Sequence, residues 1–182
     1  MQRIPSHRLA QVRELVSYRA KAKDISRLLG VPLQFVLEVF HNQEDPAARR
    51  PPNGATCAAT SKHLRTGTRQ LYVALACQYQ ALLRRNLDEI EALLAVFRDA
   101  RWRYGETEEG QHLSCSTWIT LCRHLGSGIA LLWRCNQCGA STLVEDNRAV
   151  RMVRMRCLWC NHQPASALFD FATRRRRLGL RP

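Results

Sequence analysis

The chain has 182 residues with 28 basic and 15 acidic side chains, a net charge of +13. A surface this basic attracts polyanions, with nucleic acid the default partner and an anionic membrane the lesser one, and the 133 residues that precede the cysteine-rich end are long enough for one compact domain with a genuine core. No charged leader followed by a 7–15-residue apolar run opens the chain, and no stretch approaches ~20 uninterrupted apolar residues, so a cytoplasmic protein without a membrane span is expected.

Residues 1–133 read as a helical domain. Leu9, Val12, Leu15 and Val16 recur at helical spacing, as do Leu71, Leu75, Tyr79 and Leu82, then Leu87, Ile90, Leu94 and Phe97, and finally Trp118, Leu121, Cys122, Leu125, Ile129 and Leu132. Between the first two stripes, residues 24–40 fit a helix-turn-helix, with Gly30 in the turn, Pro32 at the first position of the second helix, and Ile25, Leu29, Val31 and Val36 in the small core. Gln34 and His41 are then the exposed candidates for groove contact, while Glu38 on the same helix repels phosphate. Two short helices joined at a glycine also occur in folds that never touch DNA. Glu44 to Gly54, with Pro46, Pro51, Pro52 and Gly54, reads as an extended connection, and Gly105 to Gly110 as a second break. Asn86 is expected to cap the third helix, ahead of Asp88, Glu89 and Glu91 in its first turn.

Residues 134–182 carry the chemistry. Cys135-Asn-Gln-Cys138, eighteen intervening residues, and Cys157-Leu-Trp-Cys160 match the spacing of a tetrahedral four-cysteine zinc site. Two disulfides or unrelated core thiols are the alternative; in a cytosolic chain metal or reduced thiols are favoured. One structural zinc per chain is expected, because four thiolates leave no position open for a catalytic water. His162 could replace a thiolate, and Cys57, Cys77, Cys115 and Cys122 lack knuckle spacing and read as small buried hydrophobes. There is no HExxH, GxSxG or phosphate-cradling motif, so binding rather than catalysis is expected.

The metal module is also the basic module: ten arginines from Arg134 onward face only Glu145, Asp146 and Asp170, a balance of +7 over 49 residues. Arg148, Arg151, Arg154 and Arg156 are interleaved with Val150, Met152, Val153 and Met155 in a β-like segment, and Arg174, Arg175, Arg176 and Arg177 form a run near the C-terminus. These arginines, with Gln34, are the candidate DNA contacts; a solvated ribbon kept soluble by its charge is the plainer reading. Overall a mainly α chain is expected: a helical domain followed by a small four-cysteine zinc ribbon-like module.

Ser127-Gly128-Ile-Ala-Leu-Leu leading into Cys135-Asn-Gln-Cys138-Gly139, with the second knuckle at a similar remove, resembles the FlhC family, the zinc-containing subunit of the bacterial flagellar master transcriptional activator. Weaker likeness extends through Leu28 to Phe40 and Pro51-Pro52-Asn53-Gly54, whereas Cys57 to Thr66 departs from the aromatic-rich stretch of the family. The resemblance implies that Cys135, Cys138, Cys157 and Cys160 bind zinc. It also implies binding of double-stranded promoter DNA in a heterohexamer with an FlhD-like subunit, and activation of flagellar (class II) promoters through RNA polymerase. A zinc-stabilised protein-interaction module without sequence-specific DNA binding is the alternative.

Overall fold

The computed structural model describes residues 4–54, 56, 58, 59, 61, 63–145 and 156–162. Helices α1 (Ser6–Ser17), α2 (Ala22–Leu29) and α3 (Leu33–His41) are followed by α4 (Thr66–Leu83), α5 (Glu89–Tyr104), the single turn α6 (Glu108–Gln111) and α7 (Cys115–Gly126), then strands β1 (Ala130–Arg134) and β2 (Ser141–Glu145). The chain is thus mainly α, and no described helix is long and apolar enough to cross a membrane.

Helix ends follow from local chemistry. α1 closes with Arg19 in the left-handed region, φ 58°, where the Ala20 N–H donates to the Leu15 carbonyl at 3.0 Å and the Arg19 N–H to Val16 at 2.9 Å. The Arg19 side chain then donates to the carbonyls of Ala48 and Arg50, and Lys21 Nζ to that of Gly54. In this way two cations hold the proline-rich connection 44–54, which contains no helix or strand, against the first helices. α2 ends at Gly30, φ 63°, which a residue with a Cβ would adopt only under strain.

Over 24–40 two short helices, α2 and α3, are joined at Gly30. Ile25, Leu29, Val31 and Val36 are all buried, and Gln34, Glu38 and His41 are exposed on α3. Pro32 stands one place earlier than expected, as the N-cap of α3 with φ −57° and ψ 136°. That ψ is extended because its carbonyl opens the helix rather than lying within it.

Three further expectations are corrected. Asn86 does not cap α5: it sits at φ 61°, ending α4 through an N–H bond to Leu83 at 3.0 Å. Asp88 is the cap instead, accepting from the N–H groups of Ile90 at 2.9 Å and Glu91 at 3.2 Å. Asp88→Ala should therefore lower stability by about 1 kcal/mol in chemical denaturation, while Asn86→Gly should leave α5 intact. The break at Gly105–Gly110 holds α6, capped by Thr107 Oγ1 accepting from the Gly110 N–H at 3.1 Å. The fourth stripe is not one helix, since α7 stops at Gly126, Ile129 is 37 % exposed and Leu132 lies in β1.

The core is built around Trp118, Tyr72, Phe40 and Phe97, all fully buried. Trp118 of α7 donates its indole N–H to the Leu93 carbonyl of α5 at 3.0 Å and meets Tyr79 of α4 edge-on at 5.8 Å, so one side chain joins three helices. Tyr72 Oη accepts the N–H of Ser114 and donates to its carbonyl, fixing the start of α7.

β1 and β2 form an antiparallel ribbon with Leu132 opposite Leu143 and Trp133 opposite Thr142. Alternation splits the ribbon into two faces. Ala130, Leu132 and Leu143 pack into the helical core, while Trp133 and Val144 form a second small core with Cys135 and Cys157.

Candidate metal centre

The ribbon surrounds the first cysteine pair: Cys135 directly follows β1, and Ala140 precedes β2. The Cys135 N–H donates to the Ala140 carbonyl at 2.8 Å and the Gly139 N–H to the Cys135 carbonyl at 2.9 Å. The second pair repeats this pattern, with the Cys157 N–H donating to His162 at 2.8 Å and the Asn161 N–H to Cys157 at 3.0 Å. Each knuckle turns on a left-handed fifth residue, Gly139 at φ 72° and Asn161 at φ 60°. Glycine and asparagine are the residues that reach this conformation at least cost. Among the described residues a two-stranded ribbon is formed by β1 and β2, flanking the first knuckle; the β-like reading of the segment returning to the second knuckle falls on residues 146–155, outside the described residues.

The four sulfurs of Cys135, Cys138, Cys157 and Cys160 lie within 4.8 Å of one another and could hold a metal ion. Across the knuckles, Cys135 Sγ is 3.7 Å from Cys160 Sγ and Cys138 Sγ 3.6 Å from Cys157 Sγ. A disulfide needs about 2.05 Å, and all four are free thiols. A tetrahedron with metal–sulfur bonds of about 2.3 Å has edges of about 3.8 Å, so these separations fit a shared ion. His162 stands outside this set and contributes its carbonyl. Cys115 and Cys122 are buried within α7, as a hydrophobic role requires, and Cys57 lies outside the described residues.

The electrostatics of the cluster favour a cation. Burial pushes the Cys157 thiol up, but the N–H groups of Cys160 and Trp159, the Thr142 hydroxyl and the Cys138 thiol outweigh it and bring it from 9.0 to about 6. At Cys160 the His162 N–H lowers the thiol, yet burial and the three neighbouring sulfurs push it up to about 12. Four sulfurs this close cannot all ionise by themselves; a divalent cation at their centre offsets the repulsion.

The folded value of Cys157 lies below its unfolded value. Its thiolate therefore stabilises the knuckle above the unfolded value, and that contribution fades as pH falls through about 6. Protons and metal compete for the same sulfur. We expect metal to be retained at neutral pH and released on acidification, measured with a chromophoric chelator.

The second knuckle also touches the helices. Gln70 of α4 donates to the Leu158 carbonyl at 3.2 Å, and Leu158 packs on the helical core. Neither contact is legible in the sequence, since Gln70 and Leu158 are 88 residues apart. Thr142, whose hydroxyl points at Cys157 Sγ at 3.8 Å, is likewise visible only once β2 is in place.

Of the candidate DNA contacts, Arg156 is exposed beside the second knuckle and Gln34 is exposed on α3. Arg148, Arg151, Arg154, Arg174, Arg175, Arg176 and Arg177 lie outside the described residues. Arg134 joins the surface at the other knuckle, its Nε donating to the Gly139 carbonyl at 3.0 Å. Comparison with protein-family models and with curated proteins finds no match.

Proposed function

We propose that the chain is a zinc-stabilised DNA-binding subunit of a bacterial transcriptional activator, working with an FlhD-like partner at flagellar promoters. The observation that carries this reading is the four-cysteine cluster of Cys135, Cys138, Cys157 and Cys160, set in a ribbon and knuckle, 130–145 and 156–162, in which Glu145, at the far end of β2, is the one acidic residue. Zinc suits the set because it takes four thiolates tetrahedrally at about 2.3 Å and needs no redox chemistry. With sulfur at every position such an ion would hold the fold and offer no vacancy for a nucleophile, which argues for a structural rather than a catalytic metal. When bound, the zinc supplies a fixed anchor for two loops.

The chain's own residues supply the rest. The arginines present positive charge that neutralises phosphate, with Arg156 and Arg134 exposed at the knuckles. The exposed face of α3, with Gln34 and His41, is the element of a size to enter a major groove. The likeness to the FlhC family supports the promoter and the partner.

The test is co-expression with an FlhD-like chain, followed by mass, zinc content and titration with flagellar promoter duplex. We expect one zinc per copy and log K falling by about 0.9 per neutralised phosphate for each tenfold rise in salt. A flat salt response, or saturable binding to one acidic protein with none to duplex, moves the function to a protein-interaction module.

A further inference from the structure

Trp159 stands between the two thiols of the second knuckle with 52 % of its surface exposed. A lone exposed aromatic is ordinary; two hydrogen bonds set this one apart. Its backbone N–H donates to Cys157 Sγ at 3.5 Å, and its indole Nε1–H donates to the Ser141 carbonyl of β2 at 3.0 Å. The one polar atom of the ring is thereby satisfied inside the protein, and the exposed part of the side chain is aromatic surface. Because the ring is already held, a group that packs on it costs little further side-chain entropy.

The setting narrows what that group is. Within the ribbon and knuckle, 130–145 and 156–162, the one acidic residue is Glu145, at the end of β2 away from Ser141, and Arg134 and Arg156 are exposed. Trp102 is more exposed, at 87 %, but it lies in the segment that carries Asp99, Glu106, Glu108 and Glu109. A fixed aromatic face flanked by exposed arginines complements a flat ring carried on a polyanion, which is a nucleobase on its phosphate backbone. In a duplex the faces of internal bases are covered by their neighbours, whereas in a single strand they are available for stacking.

We propose that Trp159 is a stacking platform for an unpaired base, which adds to the metal module a preference for single-stranded nucleic acid. This rests on the nucleic-acid reading above and adds the class of strand. Arg134 and Arg156 would meet the flanking phosphates, which position the strand without reading it.

The test uses the full chain with its metal bound, titrated with an oligothymidylate of ~15 nucleotides carrying one 2-aminopurine, and with the matching duplex. Stacking quenches 2-aminopurine fluorescence. Trp159→Ala should weaken single-strand binding by about tenfold or more and abolish the quench while duplex binding stays unchanged, and Trp159→Phe should keep most of both. Metal content equal to wild type and the behaviour of the Phe variant separate loss of stacking from loss of folding. Unchanged single-strand binding in Trp159→Ala, or equal losses on both strand types, would overturn the stacking role and leave the DNA-binding reading standing. If wild type binds neither form at low salt, the DNA-binding reading fails, and stacking with it.

Discussion

Cys157→Ser should yield a chain that retains no metal and no longer binds promoter duplex. Cys157 is buried in the small core with Trp133, Val144 and Cys135, and its sulfur accepts from the Trp159 N–H and the Thr142 hydroxyl. Serine keeps the shape but removes a thiolate. The three remaining sulfurs then hold zinc weakly, and the apparent folding energy that structural zinc supplies in small modules, about 10–16 kcal/mol, is largely forfeited. Elemental analysis of the purified variant beside wild type measures the loss, and gel shift with promoter duplex measures its consequence. His162→Ala is the control and should keep its metal, because that side chain is outside the cluster. A Cys157→Ser chain that retained stoichiometric metal would place the ligands elsewhere.

Trp118→Ala should unfold much of the population at physiological temperature. The side chain is fully buried, and truncating a core tryptophan costs about 3–5 kcal/mol for transfer and cavity together. The Leu93 carbonyl, which receives the indole N–H at 3.0 Å, would keep its intrahelical bond within α5, so the lost hydrogen bond adds only about 0.5–1.5 kcal/mol. A domain of this size has only about 5–15 kcal/mol in total. Trp118→Phe fills most of the volume and keeps an edge toward Tyr79, so it should lose only a part. Denaturation midpoints of the two variants, at equal slope, separate the packing contribution from that of the hydrogen bond. The control Trp102→Ala, at a position 87 % exposed, should stay close to wild type.

The four-cysteine cluster was legible because a CxxC knuckle is local: four residues encode a turn and two thiols on one side of it, placed where they could share an ion. The helix-turn-helix was legible for a similar reason, since Gly30 announces the left-handed turn and the apolar residues around it have a helical period. What failed were places where one local signal serves two structures. Asn86 and Asp88 are both competent caps, and only the geometry shows that α4 uses Asn86 for its left-handed ending while Asp88 receives the α5 amides. The apolar run through Ala130, Leu131, Leu132 and Trp133 suits a helix or a strand equally, and pairing with β2 decides it. The docking of the second knuckle on α4 had no sequence signal, because a glutamine at 70 and a leucine at 158 have no spacing to reveal them.

The seam between the helices and the ribbon has a consequence for how the metal can be regarded. A cut placed after residue 133 would sever β1, which runs from Ala130 to Arg134, and strand Leu143 away from the interior it helps to fill. The centre is therefore not a cassette that could be grafted onto another protein or deleted from this one with the helices left whole. The position of the second thiol pair is tied to the helices, and loss of the Gln70 side chain on α4, which holds the Leu158 carbonyl, is expected to weaken whatever hold the four sulfurs have on an ion.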